Sequence, residues 1–405
     1  MSKTHVTVIG LLLALVVGCF HSMSADAKPK KKCIRYSVWM GESEMKRHKE
    51  LWTADFVSTP KWDYTQGLMA LAMLQLADST NDKHFFEYAK GFADKFIDES
   101  GAIATYKLEE YNIDKINPGK FLIYLYRHTK EEKYKKAVDL LRHQLDTHPR
   151  TTEGGFWHKK IYTSQMWLDG LYMGAPFYAL YAKEYNQPAD FDDVVKQFVL
   201  VNKHTYDPKT GLNYHGWDEL KAQRWANKET GCSPNFWGRA MGWYAMGLVD
   251  ALSNMPADYK GREELIAILH QVAAGIKKYQ DPTSGVWYQV LDQGTRQGNY
   301  LEATASSMFV YALYKGVRLG YLDKSYLKIA KKGYDGILKY FIVKNSDGTI
   351  SLTSCCAVAG LGGNPYRDGS YEYYINEVKR DNDPKGVGPF IMASLEVESI
   401  CRHNK

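Results

Sequence analysis

The sequence lacks the motifs that mark several large classes of enzyme. Its 405 residues contain no C-x-x-C pair, and neither a His-x-x-x-His pattern nor a carboxylate cluster suggests a metal ion. The Gly-x-Ser-x-Gly motif, the phosphate loop and the dinucleotide fingerprint are absent as well. We therefore expect no metal and no cofactor. Acid/base catalysis by carboxylates remains, and it favours a carbohydrate substrate.

Cysteine is scarce, and positive charge exceeds negative charge only slightly. Five cysteines follow Cys19, and neither their odd number nor their irregular spacing suggests a disulfide framework. We interpret them as small buried residues. The net charge of +6 is compatible with an acidic substrate, but no clustered basic groove indicates nucleic acid.

The N-terminus has the pattern of a targeting segment. Lys3 precedes an apolar run over residues 6–17, which is too short to span a bilayer. Two processing sites compete. Residues 16–19 resemble a bacterial lipobox, which would leave Cys19 lipidated, whereas residues 25–27 have the small-x-small form of an ordinary signal cleavage site.

We divide the chain into three parts. Residues 1–27 are predicted to be a signal peptide or lipoprotein signal, and residues 28–40 a lysine-rich tether. Residues 41–405 are predicted to form a single catalytic domain, because no Pro/Ser-rich linker interrupts them. The expected location is outside the cytoplasm, as a periplasmic protein or an outer-membrane lipoprotein of a bacterium, without a membrane-spanning helix.

Turns that contain a glycine recur along the chain and indicate an internal repeat. Asp, Asn and Pro start such turns, and glycine supplies the positive φ angle. A short extended segment is expected after each turn, before the next helix. The turns contain Gly101, Gly155, Gly211, Gly285 and Gly348.

Between the turns, apolar residues recur with a helical period that predicts six helical hairpins. Such a repeat can stack as an open solenoid or close into a ring. Aromatic residues make up 14% of the chain and polar residues collect just after the turns, which favours closure. We therefore predict an all-α fold, an (α/α)6 barrel with one functional rim. The predicted pairs are 68–76 with 84–97, 115–127 with 131–145, 169–185 with 191–203, 239–252 with 262–278, 302–317 with 324–340, and 389–400 with a helix near 42–52.

One carboxylate, Asp169, lies in the apolar and aromatic stretch 167–176 at the start of a predicted helix. Burial disfavours the charged form of a carboxyl group, so its pKa should rise towards the range of a general acid. The alternative is an aspartate that caps the helix. In a closed ring each turn brings the next helix start to the same end, so Asp114 and His158 should lie nearby.

A second group of candidates follows a longer insertion that contains His215. Arg239 and Trp243 are four residues apart and share a helix face, where they could clamp a carboxylated ring. A core tryptophan beside a surface arginine is the alternative. His215 is open to interpretation as a ligand, a hydrogen-bond donor or a loop residue.

Four ordered motifs carry a resemblance to a known family. They are Trp-Leu-Asp-Gly-Leu-Tyr-Met at 167–173, Tyr-His-Gly-Trp-Asp at 214–218, Trp-Gly-Arg-Ala-Met-Gly-Trp at 237–243, and a C-terminal stretch at 359–374 that includes Tyr-Arg-Asp-Gly-Ser-Tyr. Over about residues 62–396 the chain resembles glycoside hydrolase family 105, the unsaturated rhamnogalacturonyl hydrolases. The resemblance implies an (α/α)6 barrel that needs no metal or cofactor.

The resemblance also implies a substrate and a reaction. The substrate is an oligosaccharide that a polysaccharide lyase has left with an unsaturated galacturonyl or glucuronyl residue at its non-reducing end. Protonation of C4 creates a cation at C5, water traps it, and the resulting hemiketal opens and expels the neighbouring sugar. Asp169 matches the acid/base of the family, and Asp114 matches a second carboxylate that holds ring hydroxyls and tunes the first.

Further positions correspond to substrate contacts of the family. The matches around the unsaturated ring are His215, Trp237, Arg239 and Trp243, and weaker rim or wall contacts are Trp167, His158 and Lys159. Arg367 and Tyr371 either reach the site or support the rim.

Two other functions stay open from the sequence. An inverting acid/base glycosidase on saturated sugars would need a second carboxylate to activate water, and Asp114 could fill that role. The second alternative function is that of a helical toroid that binds carbohydrate and catalyses no reaction. The glycan also stays open, because rhamnogalacturonan, arabinogalactan and ulvan fragments can all carry an unsaturated end.

Overall fold

The computed structural model describes residues 34–403. The predicted signal, Cys19 and most of the predicted tether lie outside the described residues. The chain from Arg35 onward forms one compact unit. Its first helix, α1 (Tyr36–Arg47), begins inside the segment predicted as tether, so residues 36–40 are helical rather than part of a tether. Across residues 34–403, no helix combines the length and apolar character that crossing a membrane requires.

Six inner helices form a closed ring. Each contacts the next, and the last contacts the first. An inner helix is apolar around most of its circumference because neighbours cover it on several sides. In the fourth inner helix along the chain, all fifteen residues are buried. The inner helices are α2 (Tyr64–Thr80), α4 (Gly119–Thr129), α6 (Leu168–Glu184), α8 (Gly238–Leu252), α10 (Ala303–Arg318) and α13 (Pro384–His403).

Six outer helices each pack on one inner helix. They are amphipathic: α3, for example, buries Phe85, Ala89, Phe92 and Phe96 on one face. The six hairpins confirm the predicted all-α (α/α)6 barrel. The outer helices are α1, α3 (Lys83–Phe96), α5 (Glu132–Thr147), α7 (Asp190–Thr205), α9 (Arg262–Lys278) and α11 (Tyr326–Tyr340).

Two details differ from the predicted pattern. The helix expected from residue 115 is split into a 3-10 turn, Ile113–Ile116, and α4, which starts directly after Pro118. Proline favours a helix start because it lacks the N–H group that a helix interior needs. A short additional helix, α12 (Tyr371–Asn376), lies in the C-terminal motif.

The glycine turns and short strands lie at the end of the ring where the inner helices begin. Gly101, Gly211, Gly285 and Gly348 have φ angles of +80° to +85°, as predicted, but in the second turn Gly154 rather than Gly155 has positive φ. Each described strand pairs with one other strand to form a two-stranded antiparallel sheet. They are β1 (Gln165–Trp167) with β4 (Gly216–Asp218), β2 (Tyr206–Asp207) with β3 (Leu212–Asn213), β5 (Ile342–Lys344) with β6 (Ile350–Leu352), and β7 (Cys355–Cys356) with β8 (Lys379–Arg380).

Replacement of Gly67 by alanine should destabilise the contact between α2 and the start of α4. A Cβ atom at this position would lie 2.5 Å from Pro118 Cγ and 2.8 Å from Pro118 Cα, and the backbone atom cannot yield without moving α4. We expect Gly67→Ala to lose about 1–3 kcal/mol of unfolding free energy, measured by urea denaturation.

The matched control is Gly91→Ala on the outer helix α3, where a Cβ atom would meet nothing within 4 Å. It should be neutral or stabilise the protein by up to about 1 kcal/mol, because alanine is the better helix former. Equal stability of the two variants would contradict the role of close packing in closing the ring.

Candidate active site

A cleft of about 310 Å³ opens where α2, α4, α6 and α13 begin. It collects four carboxylates, five Lys or Arg side chains and an aromatic wall. The lining residues are Asp55, Lys61, Asp63, Tyr64, Thr65, Asp114, His158, Lys159, Tyr162, Trp167, Asp169, Met173, Ala357, Val358, Ala359, Arg367, Arg380 and Lys385. Five residues predicted from the sequence therefore share one cleft: Asp114, Asp169, His158, Lys159 and Trp167.

The pairing of β1 with β4 brings Asp169 next to His215. Trp167 is opposite Gly216 in this pair, and the Leu168 N–H donates to the His215 carbonyl at 3.0 Å. Asp169 is the second residue of α6, and its Oδ2 atom lies 3.1 Å from His215 Nε2, although the two are not aligned as a hydrogen bond. The Asp169 side chain is 13% exposed whereas that of His215 is fully buried, so the aspartate is the member of this pair that faces the cleft.

The other ring nitrogen of His215 contacts a buried tyrosine. His215 Nδ1 lies 2.7 Å from the Tyr374 hydroxyl. Burial raises the pKa of this hydroxyl well above its ordinary value, so Tyr374 stays protonated. The Trp237 ring stacks on Tyr374, with centroids 5.8 Å apart, and Gln289 donates to the Tyr374 carbonyl. These contacts fix the imidazole behind Asp169.

A second backbone pairing positions Asp114. Asn112 forms a β-bridge with Lys159, and the Ile113 N–H donates to the His158 carbonyl. The Asp114 carboxyl then lies 2.6 Å from Lys159 Nζ through Oδ2, and 3.3 Å from His158 Nε2 through Oδ1. A buried Asp114 carboxylate and a half-buried Lys159 ammonium thus form a charge pair in the cleft lining.

The protonation states of this cluster follow from burial and from the Lys159 charge. Burial raises the pKa of the Asp114 carboxyl, but the adjacent ammonium outweighs it, and the pKa lies below its ordinary value. Burial lowers the pKa of the Lys159 ammonium, but Asp114 raises it more, so it stays charged. Burial lowers the pKa of His158 to about 4, so this imidazole is neutral near pH 7.

The cleft carboxylates differ in their partners. Asp55 lies 3.2 Å from Lys385, Asp63 pairs with Lys61, and Asp114 pairs with Lys159. Among the residues that the structure describes, Asp169 has no Lys or Arg partner, and His215 is the basic side chain that contacts it. Asp169 is therefore the cleft carboxylate whose charge no Lys or Arg side chain offsets.

Aromatic rings form one wall of the cleft. Trp167 stacks on both His158 and Tyr162, each with centroids 4.6 Å apart. Trp167 also belongs to a small apolar cluster with Trp225 and Leu361, separate from the main core. The sequence motif contained Trp167, and the turn position and the family resemblance pointed to His158, whereas only the tertiary structure brings Tyr162 here.

Four predicted binding residues do not line the cleft. His215, Trp237, Arg239 and Trp243 are each at most 1% exposed. Arg239 donates to the Cys356 carbonyl, and its guanidinium lies 4.7 Å from the Trp237 ring rather than on Trp243. Trp243 packs against Tyr64 and Tyr172. The predicted Arg239–Trp243 clamp is therefore not formed, because both side chains are core residues behind the cleft.

The remaining candidates have different positions. Arg367 lines the cleft. Tyr371 does not: its ring is buried and its hydroxyl lies 3.0 Å from the carbonyls of Arg296 and Gln297, so it supports the rim. Cys232, Cys355 and Cys356 are buried and unpaired, as interpreted from the sequence. Within residues 34–403, no group of three or more His, Cys, Asp and Glu side chains is arranged to hold a metal ion.

The closed helical ring, the aromatic wall and the unpaired carboxylate together define the class of protein as a glycosidase on an (α/α)6 barrel. The model of Glycosyl Hydrolase Family 88 matches residues 36–401. A structure from C. acetobutylicum ATCC 824, described as a glycoside hydrolase from family 105, is 50% identical and covers 90% of this chain and 100% of its own, with a TM-score of 0.87. The chain belongs to Glycosyl Hydrolase Family 88 as that model defines it, and to family 105 by its likeness to this structure.

Two characterised relatives are more distant. The unsaturated rhamnogalacturonyl hydrolase YesR of Bacillus subtilis is 25% identical over 317 residues, which cover 77% of this chain and 84% of YesR. The unsaturated 3S-rhamnoglycuronyl hydrolase of Formosa agariphila is 28% identical over 268 residues, which cover 66% of each protein.

Loss of the Lys159 charge should destabilise the fold, and more so at neutral than at acidic pH. The native Asp114 pKa is depressed, so this carboxylate stabilises the fold above its unfolded pKa and loses that effect as pH falls through its folded pKa. In the Lys159→Gln variant, the buried Asp114 carboxylate no longer has a cation beside it. We expect a loss of about 1–3 kcal/mol in urea unfolding near pH 7, shrinking in mild acid as Asp114 becomes protonated.

Lys61→Gln serves as the matched control, because the Lys61 side chain is 51% exposed in its pair with Asp63. Breaking an exposed pair should cost less than about 1 kcal/mol. A Lys159→Gln penalty that is independent of pH would show that lost packing, rather than the charge of Asp114, causes it.

Proposed function

We propose that this protein removes an unsaturated galacturonyl or glucuronyl residue from the non-reducing end of lyase-generated oligosaccharides, with rhamnogalacturonan fragments as the expected substrate. The observation that carries the proposal is that Asp169 is the cleft carboxylate without a Lys or Arg partner. One free acid/base is what hydration of a C4=C5 double bond requires. The names of the relatives in Bacillus subtilis and Formosa agariphila support the same substrate class.

The reaction begins with transfer of the Asp169 proton to C4 of the unsaturated ring. The ring oxygen stabilises the cation that develops at C5. A water molecule adds its oxygen to C5 and returns a proton to the Asp169 carboxylate, which regenerates the acid. The C5 hemiketal then opens, the former ring oxygen becomes a hydroxyl on C1, and the C1 hemiacetal releases the neighbouring sugar. The net change is the addition of one water and the cleavage of one glycosidic bond.

His215 orients the acid in this scheme. When the Tyr374 hydroxyl donates its hydrogen to Nδ1, the remaining ring hydrogen is on Nε2, which faces Asp169 Oδ2. The dipole of that N–H group holds Oδ2 and leaves the other carboxyl oxygen towards the cleft. Tyr374 thereby acts as a positioning residue, which the sequence motif contained without indicating its role.

Asp114 acts as an ionised acceptor. The depressed pKa keeps its carboxylate charged, and Lys159 balances that charge in the cleft lining. An ionised carboxylate accepts hydrogen bonds from sugar hydroxyls and so orients the ring. Its commitment to Lys159 makes it a weak proton acceptor, which argues against the alternative of an inverting glycosidase that uses Asp114 to activate water.

Asp169→Asn should abolish the decay of the ultraviolet absorbance of a lyase-generated rhamnogalacturonan disaccharide. The asparagine cannot donate the proton to C4, and we expect kcat/KM to fall by about 10²–10⁴-fold. Asp207→Asn, in a glycine turn outside the cleft, is the matched control and should retain native activity.

Other unsaturated uronides would be tried if the native enzyme leaves this disaccharide intact. Activity on saturated sugars alone would refute the hydration mechanism and favour the inverting glycosidase. Full activity of Asp169→Asn would refute the assignment of the acid.

We also propose that the protein is exported, on the basis of the apolar run at 6–17 and its two processing sites. Mass spectrometry of the protein from a bacterial host tests this: a mature chain should begin either at a lipidated Cys19 or at Lys28. An intact chain that still begins at Met1 would contradict export.

A further inference from the structure

Positive charge is concentrated on one outer helix. The helix α11 contains four lysines and one aspartate, a net charge of +3, whereas every other outer helix has a net charge between −1 and +1. Lys324 precedes α11 and Lys344 follows it in β5, so residues 324–344 carry +5. Residues 34–405 as a whole carry only +2. A strongly basic segment thus belongs to a domain whose remaining residues are net acidic.

The four lysines of α11 lie on one exposed side of the helix. They occupy positions i, i+3, i+4 and i+11, which share a helix face, and all four are exposed. Lys331 pairs with Asp335 at 2.6 Å, and no carboxylate forms an ion pair with the other three among the described residues. Most of this charge is therefore available to a partner. The lysines are Lys328, Lys331, Lys332 and Lys339.

Large apolar side chains continue the row of lysines. Tyr340 ends α11 and is 41% exposed, and Val343 in β5 is 47% exposed. Lysines beside exposed apolar residues are typical of surfaces that bind at the boundary between lipid headgroups and acyl chains. We call this surface the α11 face. It consists of Lys328, Lys331, Lys332, Lys339, Tyr340, Val343 and Lys344.

The α11 face lies against the first helix of the domain. The hairpin of β5 and β6 follows α11, and its turn packs on α1: Trp39 Nε1 donates to the Gly348 carbonyl at 2.8 Å. Lys344 Nζ lies 5.4 Å from the centre of the Trp39 ring. Because α1 begins at Tyr36, three residues before Trp39, the chain enters the domain on the side of the barrel that carries the α11 face.

The sequence before α1 provides a reason for lipid to be near. Fifteen residues separate Cys19 from Arg35, and that length spans at most about 50 Å when fully extended. Lipidation at Cys19 would therefore keep the domain within this distance of a bilayer. A short tether raises the effective concentration of the surface, so a weak contact with the domain is enough for docking.

We propose that the α11 face docks this protein on an anionic lipid surface. The lysines bind the phosphate of the headgroups, and Tyr340 and Val343 enter the headgroup region. The tether rests on the proposed export, whereas the charge and exposure of the α11 face do not depend on it. The cleft lining contains no residue of the α11 face, so docking leaves the cleft accessible at the end of the ring.

The test uses the chain from Lys28 onward, without lipid, and vesicles of phosphatidylcholine with or without phosphatidylglycerol. Sedimentation should show binding to the anionic vesicles alone, weakened by salt. The triple variant Lys328→Gln, Lys331→Gln, Lys339→Gln should bind at least about tenfold more weakly, since each lysine near an anionic surface contributes a factor of about five. Native protein that does not bind the anionic vesicles overturns the proposal, whatever its hydrolytic activity.

The matched control is the triple variant Lys136→Gln, Lys196→Gln, Lys203→Gln. These lysines are exposed on α5 and α7, and Lys203 pairs with Glu153 as Lys331 pairs with Asp335. The net charge falls by the same amount, but vesicle binding should stay native. An equal loss in both triple variants would mean that total charge decides binding, and no loss in either would assign binding to the lysines before α1. Both results overturn the proposal.

An acidic polysaccharide is the other polyanion that a basic face could bind. The double variant Tyr340→Ser, Val343→Ser keeps every lysine. It should weaken vesicle binding about three- to tenfold, because the lost apolar area no longer enters the bilayer, and leave any binding of polygalacturonate unchanged. If the lysines of the α11 face bind polygalacturonate and the protein ignores vesicles, the face belongs to a polysaccharide and the lipid proposal is overturned.

Discussion

Charge pairing governs the cleft, because a buried or half-buried charge is costly unless an opposite charge or a hydrogen bond compensates it. Asp55, Asp63 and Asp114 each pair with a lysine, so a cation offsets the charge of each of these carboxylates. Asp169 and Arg367 are the members left without an oppositely charged Lys, Arg, Asp or Glu partner in the described chain.

The barrel makes this pairing possible by bringing loop segments from distant parts of the chain to one end. The β1–β4 pair brings Asp169 to His215, and the bridge between Asn112 and Lys159 brings Asp114 to its cation. Both pairings join the loops of successive hairpins, whose inner helices are held together by close contacts such as that of Gly67 with Pro118. Stability of the ring and geometry of the site are thus coupled.

The sequence predicted the helices well and the site only in part. Helical periodicity located the six hairpins, with bounds that differ by several residues at α1, α2, α4 and α13. The motifs contained Asp169, and the glycine turns and the family resemblance pointed to Asp114, His158 and Lys159; all four line the cleft. They also suggested Arg239 as a clamp, because spacing along a helix reports a shared face but not which face the neighbouring helices cover.

The sequence by itself determined the class of fold and indicated Asp169 as the proposed acid, since apolar periodicity, glycine turns and a long motif around Asp169 are local features. Only the tertiary structure decided which charges are available to a ligand. Availability depends on partners that are far apart in the chain, such as Arg367 with Tyr162 and Lys385 with Asp55. Coulomb energy and burial act through space, so they follow from the closed ring and not from the order of residues.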